Sequence, residues 1–273
     1  MDARLQRRVQ RYGWDRAAGD YEKSWSRQLE PAQTLTLELA DLNPGERVLD
    51  VACGTGLVSV PAARAVAPTG ELVGTDISAV MVETAGVRCS NAGVSNASFE
   101  RMGAEALSLD DASFDTTLCA LGLMYVPEPV EALSEMRRVL RPGGRAVASV
   151  WGARVSCGWS GIFSVVDERV NTEVCPMFFQ LGTGATLNRA FEQAGLTDVR
   201  SERISTRLTY DSEDEALKAA FAGGPVAMAY SRFDEDLKQD AHDAYLETIE
   251  TFRVGSAYDM PGEFVVTTGT RPI

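Results

Sequence analysis

The sequence predicts an α/β protein with a doubly wound, mainly parallel sheet. Between residues 46 and 151, short apolar segments alternate with segments of helical periodicity, which is typical of a sheet with helices on both faces. The first apolar segment, VLDV at 48–51, runs directly into a turn that contains two glycines, as at the start of a strand–turn–helix unit. With 273 residues and 45% hydrophobic content, the chain suffices for one large domain with insertions or two small domains.

The sequence marks where the predicted elements of this sheet begin and end. Ser78 is a predicted N-cap for the helix after the second strand, and Pro129 occupies the first position of a helix that Pro142 and the following glycines end. The predicted strands are 47–51, 71–75, 97–101, 114–119 and 145–151. The predicted helices are 55–66, 79–91 and the segment that begins at Pro129.

The alternation loosens after Trp151. Residues 152–185 are predicted to form loops rich in aromatic side chains, followed by a helix at 187–194 and a long strand at 199–210. Residues 212–254 are predicted to be helical, and a final strand is predicted at 264–268. Because the late helical segment lies between two strands, we expect an insertion that covers one edge of the sheet.

Charge and composition exclude several classes of function. A net charge of −13 disfavours binding to nucleic acid or to an anionic membrane, and no apolar run approaches the roughly 18 residues that span a bilayer. One histidine and five cysteines without a CxxC motif predict neither a metal site nor a disulfide framework. We therefore expect a cytoplasmic protein that acts on small molecules. The cysteines are Cys53, Cys89, Cys119, Cys157 and Cys175.

The glycine turn after the first strand predicts a nucleoside site. Gly54 and Gly56 let the backbone turn sharply and approach a ligand closely, and the next helix offers unpaired N–H groups. Asp76 ends the second strand, where its carboxylate can accept hydrogen bonds from ribose hydroxyls. The third small position of a dinucleotide fingerprint is Ser59 rather than glycine, so a nicotinamide dinucleotide is disfavoured by spacing but stays open.

Five linked motifs carry a family resemblance. The segments VLDVACGTG, GTDIS, GAEALSLDDASFD, LGLMYVPEPVEALSEMRRVLRPGGRAVASVW and LNRAFEQAGLTDV resemble, in order and spacing, the class I S-adenosylmethionine-dependent methyltransferases. The chain is most similar to their ubiquinone/menaquinone C-methyltransferase-like (type 11) branch, over about residues 10–210. The resemblance implies a seven-stranded Rossmann-like sheet whose last strand is antiparallel to the fifth, with S-adenosyl-L-methionine as cofactor.

The resemblance also implies one domain over 1–273 and a set of site residues. N-terminal lid helices would occupy about 1–42, the nucleotide-binding core about 43–151, and cap insertions about 152–185 and 211–255. Asp50 and the backbone of 52–56 would hold the methionine part of the cofactor, and Asp76 would bind its ribose. The implied cofactor-binding residues are Tyr21, Asp50, Ala52, Cys53, Gly54, Thr55, Gly56, Asp76, Ile77, Met81, Gly103, Ala104, Glu105 and Ala120.

The sequence departs from the family pattern at two of these positions. Ala52 replaces the usual first glycine of the turn. Gly103 stands where relatives usually carry Asp or Asn to accept from the adenine amino group. We expect either that Glu105 or a backbone group takes that role or that the affinity for the cofactor is lower.

Methyl transfer from a sulfonium disperses positive charge, so it favours a dry, lidded site. Aromatic residues of the N-terminal segment and of the loop after the fifth strand are the expected lining for a small apolar or aromatic acceptor. The expected acceptor-binding residues are Trp25, Tyr125, Trp151, Trp159, Phe178 and Phe179. No general base is evident. Tyr125 is a candidate for orienting the acceptor, and we expect His242 to have a structural or solvated role.

The sequence leaves two alternatives open. One is a nicotinamide-dependent oxidoreductase, and the other is a non-catalytic S-adenosylmethionine-binding protein. The acceptor atom (O, N, C or S) and the oligomeric state do not follow from the sequence.

Overall fold

A computed structural model describes residues 3–170 and 177–273 of the chain. Its sheet has the strand order β3-β2-β1-β4-β5-β8-β6, with a short β7 paired to β8. The strands are β1 Arg47–Val51, β2 Glu71–Asp76, β3 Ala97–Arg101, β4 Phe114–Ala120, β5 Leu140–Trp151, β6 Thr197–Tyr210, β7 Arg253–Val254 and β8 Ala257–Thr270. The α-helices are α1 Ala3–Ala40, α2 Ser59–Val66, α3 Ala79–Asn91, α4 Pro129–Val139, α5 Gly161–Val170, α6 Thr186–Gln193, α7 Glu213–Phe221, α8 Ala227–Tyr230 and α9 Glu235–Ile249.

The first five strands run parallel, and β8 runs antiparallel to both β5 and β6. The doubly wound sheet and its antiparallel last strand are therefore confirmed, with a two-residue β7 added to the seven strands expected. The strand order reverses between β1 and β4, because β2 lies on the other side of β1. Ligands of open α/β sheets bind beyond the carboxyl ends of the strands at such a reversal. The fold thus places the glycine turn after β1 at the expected binding edge.

The N-terminal segment forms one long helix, which crosses the carboxyl edge of the sheet. At 38 residues, α1 is about 57 Å long. Its buried side chains include Trp25 and Leu29, which belong to the same hydrophobic cluster as residues of β5 and β8. Burial of this face holds a helix that contains Pro31 in its interior.

Several predicted regions differ from the structure. The fifth strand begins at Leu140 rather than Arg145, because α4 already ends at Val139, before Pro142. The helix after the glycine turn begins at Ser59 rather than Thr55, because residues 54 and 56 have positive φ angles that a helix does not accept. The segment 152–185 contains a helix, α5, that sequence reasoning missed. Its valines lower helix propensity, and burial of Val165 and Val166 decides its conformation instead. Residues 171–176 of this segment, including Cys175, lie outside the described residues.

Among the described residues, no helix is both long and apolar enough to cross a membrane.

Candidate functional site

A cleft lies at the carboxyl ends of β1, β2 and β4, beneath α1. It encloses about 720 Å³, part of which is continuous with solvent. We call it the main cleft. Its lining residues are Arg7, Gln10, Trp14, Tyr21, Ala52, Gly54, Asp76, Ile77, Met81, Met102, Ala104, Glu105, Ala120, Leu121, Gly122, Tyr125, Val126 and Pro127.

The turn after β1 adopts left-handed backbone conformations at alternate residues. Ala52, Gly54 and Gly56 have φ angles of 56°, 54° and 81°. Ala52 accepts this conformation although it has a Cβ atom, at a cost of about 1–2 kcal/mol. Its methyl group occupies the space that a side chain at Gly122 would fill. The glycine on the neighbouring loop therefore makes room for the alanine that replaces the usual turn glycine.

The two turn glycines have different roles. A Cβ atom built on Gly54 meets no atom within 4 Å, and Gly54 lines the main cleft. A Cβ atom on Gly56 would lie 3.2 Å from Ala85 of α3. Gly54 therefore keeps the cleft accessible, whereas Gly56 allows the turn to pack against a helix.

Asp76, at the end of β2, is buried at the floor of the main cleft. Its Oδ2 accepts a hydrogen bond from the Gly54 N–H (3.0 Å), and its Oδ1 accepts one from the Ser78 N–H (2.9 Å). Burial raises the pKa of Asp76 to about 6, opposed by the two N–H donors and assisted by the nearby carboxylate of Asp15. Each carboxylate oxygen retains a second lone pair that a hydroxyl of a ligand can reach.

Asp50, near the end of β1, is 1% exposed and lies beside a second, smaller cavity. Its Oδ2 accepts from the Ser59 hydroxyl (2.6 Å), while its Oδ1 has no hydrogen-bond partner. Burial raises the pKa of Asp50 to about 7. The hydroxyl of Thr55 is likewise buried without a partner. This carboxylate cavity comprises about 300 Å³, part of which is continuous with solvent. Its lining residues are Tyr21, Gln33, Asp50, Ala52, Cys53, Gly54, Thr55, Leu57, Val58 and Ala120.

A third space, the aromatic cavity, adjoins the main cleft and comprises about 290 Å³, part of which is continuous with solvent. Trp14, Tyr21, Leu121 and Tyr125 line both spaces. The residues that line the aromatic cavity are Trp14, Tyr21, Trp25, Leu29, Leu121, Met124, Tyr125, Trp151, Trp159, Gly223, Gly224 and Pro225. Among the described residues, Tyr21 alone lines all three spaces, so they meet at its side chain.

Polar contacts join α1 to the rim of the main cleft. Arg7 donates two hydrogen bonds to Glu105, from Nε (2.9 Å) and from Nη2 (3.0 Å). Glu105 also accepts from the Glu128 N–H (3.2 Å). Further along α1, Asp15 accepts from the hydroxyl of Ser78, the N-cap of α3 (2.6 Å). The helix is thus fixed on both sides of the cleft mouth.

Most of the residues expected from the sequence line these three spaces, but four do not. Gly103 is absent from the lining; its backbone pairs with Ala106 in an isolated bridge. Gly56 faces α3, as described above. Phe178 and Phe179 are buried behind Trp159, with ring centroids 5.6 and 5.8 Å from it, and do not line the aromatic cavity. They belong to the hydrophobic cluster that supports its wall.

Sequence reasoning placed Tyr21 and Trp25 of α1 in the site but left Arg7, Gln10 and Trp14 out of the predicted site residues. Arg7, Gln10, Trp14, Tyr21 and Trp25 follow the three-to-four-residue spacing of one helix face. That periodicity, applied from the aromatic residues backwards, would have found Arg7 and Gln10. The residues 223–225 reach the aromatic cavity from the insertion, and no sequence pattern indicates this contact.

His242 of α9 lies outside the lining of the three spaces. Its Nε2 is 2.9 Å from the hydroxyl of Tyr230, and its ring lies against Phe221. Burial lowers the pKa of His242, so the imidazole is neutral at pH 7.

Comparison with known proteins agrees with this geometry. Residues 48–144 match the family model described as a methyltransferase domain. The ubiquinone/menaquinone biosynthesis C-methyltransferase UbiE of Pseudomonas aeruginosa is 40% identical over 132 residues, which are 48% of this chain and 49% of that protein. The chain spans about half the length of the curated relatives it matches.

Two solved structures share the fold over most of the chain. A putative methyltransferase from Bacillus halodurans has a TM-score of 0.62 at 21% identity, covering 88% of this chain and 99% of that one. The YcgJ protein of Bacillus subtilis has a TM-score of 0.61 at 19% identity, covering 89% and 99%. Residues 48–144 therefore match a methyltransferase domain, and the sheet that contains them has the fold of these two solved structures.

Proposed function

We propose that the protein transfers a methyl group from S-adenosylmethionine to a small acceptor of apolar or aromatic character. The observation that carries this proposal is the meeting of three spaces at Tyr21: a cleft with a ribose-type acid, a cavity with an unpaired buried carboxylate, and an aromatic cavity. The cofactor and the acceptor can then be held side by side, and their reacting atoms would meet near this side chain.

The buried polar groups fit S-adenosylmethionine. The unpaired Oδ1 of Asp50 suits the ammonium group of the methionine part, and the unpaired Thr55 hydroxyl can bond to its polar end. Asp76 would accept from the ribose hydroxyls, beside the open face of Gly54. When bound, the cofactor supplies an electrophilic methyl group on a positively charged sulfur.

The base of the cofactor would lie against an apolar part of the main cleft. Ile77, Met81, Met102 and Ala104 supply that surface. Glu105 already accepts hydrogen bonds from Arg7 and from the Glu128 N–H. We therefore assign Glu105 to holding α1 over the cleft rather than to reading the adenine amino group.

The residues at the junction would exclude water and orient the acceptor. The Trp14 ring meets Tyr21 and Tyr125 edge to face, with centroids 5.6 and 4.9 Å apart. Removing water destabilises the charged sulfonium relative to the transition state, in which its charge is dispersed. Burial raises the pKa of Tyr21, so its hydroxyl keeps its proton and can donate a hydrogen bond but does not serve as a base.

We further propose that α1 serves as a lid. It supplies the roof of the main cleft and is attached at both sides of the mouth, through Arg7 and Asp15. Opening of these contacts would widen the mouth of the cleft for a reactant, and their closure would exclude water from the site.

A nicotinamide dinucleotide fits less well. Ser59, which stands at the third glycine position, is fully buried and donates its hydroxyl hydrogen to Asp50. The close helix packing that a third glycine gives to a dinucleotide site is therefore replaced by a polar contact to the buried acid.

Methyl transfer is tested by incubating the protein with methyl-labelled S-adenosylmethionine and a panel of single-ring phenols, amines, thiols and carbon nucleophiles. We expect acceptor-dependent formation of S-adenosylhomocysteine and a labelled product of matching mass with at least one of the neutral ring compounds. Saturable cofactor binding with no acceptor-dependent product across the panel would contradict methyl transfer and would leave a cofactor-binding protein.

A further inference from the structure

The aromatic cavity has an unusual lining for a space next to a cofactor site. Six aromatic rings surround it, and none of its described lining residues is charged. Three of the rings come from α1, and the other three come from the segments after β4 and at and after the end of β5. The aromatic cavity shares Trp14, Tyr21, Leu121 and Tyr125 with the main cleft, so a single-ring molecule bound where the two spaces join would lie against these walls.

Among the described residues that line the aromatic cavity, Trp159 has a fully buried polar atom without a partner. Trp159 is 2% exposed, and its Nε1 donor has no hydrogen-bond partner. In contrast, Trp25, in the same walls, donates from its Nε1 to the Ala219 carbonyl oxygen (3.2 Å). A buried donor without a partner costs about 1–3 kcal/mol, so it is uncommon unless a ligand or water completes it.

The packing around Trp159 fixes the direction of this donor. Its ring centroid lies 5.3 Å from that of Trp25, 5.0 Å from Trp151 and 5.7 Å from Phe163. Contacts on several sides leave the indole little freedom to turn. A ligand that reaches this N–H group therefore does not have to order a mobile side chain.

The unpaired donor decides between two kinds of ligand that aromatic walls favour. Aromatic rings attract cations such as ammonium groups through their π faces. A cation, however, cannot accept a hydrogen bond from an N–H group, and no carboxylate lines the aromatic cavity among the described residues. A neutral ring that carries an oxygen atom satisfies both the walls and the donor.

We propose that Trp159 is a specificity-determining residue, whose Nε1 donates a hydrogen bond to an oxygen atom of a neutral, single-ring methyl acceptor. This inference rests on the proposed function, because it assigns the aromatic cavity to the acceptor. It narrows the acceptor class from apolar or aromatic molecules to neutral rings with an oxygen that can accept a hydrogen bond.

The test compares two probes of nearly the same shape in the presence of saturating S-adenosylhomocysteine. Anisole carries an ether oxygen that accepts a hydrogen bond, and ethylbenzene has a methylene group in its place. We expect the wild-type protein to bind anisole about three- to tenfold more tightly in calorimetry, as for one neutral hydrogen bond. Tetramethylammonium, as the cationic probe, should bind more weakly than either.

Two variants separate the hydrogen bond from cavity shape. Trp159→Phe keeps an aromatic ring but removes the donor, so this variant should bind anisole and ethylbenzene with about equal affinity. Trp25→Phe is the matched control: it removes an N–H that the protein already uses, so the preference should stay as in the wild type. Each variant is judged by the ratio of its affinities for the two probes. A change in cavity shape that weakens the binding of both probes equally leaves this ratio unchanged.

The outcomes distinguish this inference from the proposed function. The role of Trp159 would be overturned if the wild type bound the two probes equally, bound neither, or bound tetramethylammonium more tightly. It would also be overturned if Trp159→Phe kept the preference for anisole. Failure to bind S-adenosylhomocysteine itself, measured first in the same calorimeter, would instead overturn the proposed function.

Discussion

At the residue scale, two buried acids carry the charge of the candidate site. Asp50 and Asp76 are 1% and 7% exposed, and burial raises their pKa values to about 7 and about 6. The groups that face these acids provide no positive charge to balance them. The thiols of Cys53 and Cys119 and the hydroxyl of Tyr21 have raised pKa values and stay uncharged. A site without its cationic ligand therefore keeps two acids whose ionisation opposes folding.

The first prediction concerns Asp50→Asn. An unfolded Asp ionises near pH 4, whereas Asp50 ionises near pH 7 in the folded protein, so its stabilising protonated form is lost as the pH rises through 7. Asn cannot ionise. In urea unfolding without ligand, the stability of Asp50→Asn relative to the wild type should increase by about 2–3 kcal/mol between pH 5 and pH 8.

The same variant should bind S-adenosylhomocysteine more weakly at pH 7, because it offers no charge to the ammonium group. The exposed Asp110, changed to Asn, serves as the control and should show neither effect. A stability difference that does not change with pH would show that Asp50 is already ionised in the folded protein at pH 5.

At the scale of elements, the sequence predicted the helix starts that are marked by a capping residue or a proline. Helix α3 begins after Ser78 and helix α4 begins at Pro129, as their caps indicate. The sequence also predicted that Asp50 and Asp76 lie near each other, because each stands at or near the carboxyl end of a neighbouring strand. The sequence did not predict that Gly56 faces a helix or that Phe178 lies behind Trp159, because both depend on long-range packing that no local pattern records.

The long helix α1 is the element on which site closure depends. Its attachment through Arg7 and Glu105 bridges 98 positions of sequence, and the Glu105 side chain is only 8% exposed. Arg7 itself is about one-third exposed, so solvent screening limits what the pair adds to global stability. Its effect should appear in local opening of the helix rather than in the free energy of unfolding.

The second prediction is that Arg7→Gln loosens the first half of α1. Backbone amides in residues 3–15 should exchange faster in hydrogen-exchange mass spectrometry, and S-adenosylhomocysteine should dissociate about three- to tenfold faster in stopped-flow experiments. Arg8→Gln, at an exposed position on the same turn, is the control. Equal effects of the two variants would mean that the Arg7–Glu105 pair does not hold the helix over the cleft.

At the scale of the whole molecule, one mainly parallel sheet, one long helix and one insertion meet at a single edge. The reversal of strand order between β1 and β4 creates the cleft, α1 roofs it, and residues 223–225 of the insertion complete the aromatic cavity. The antiparallel last strand beside the fifth was expected from the family resemblance. The contact of the insertion with the cavity was not, because it depends on how distant segments pack.

The central claim is that the main cleft binds S-adenosylmethionine through Asp76, and calorimetric titration with S-adenosylhomocysteine tests it most directly. We expect saturable binding to the wild type and about 10- to 100-fold weaker binding to Asp76→Ala, as for the loss of a charge-assisted hydrogen bond. Asp110→Ala should bind like the wild type, and circular dichroism should show that both variants are folded. The absence of saturable binding to the wild type, or undiminished affinity in folded Asp76→Ala, would contradict the account.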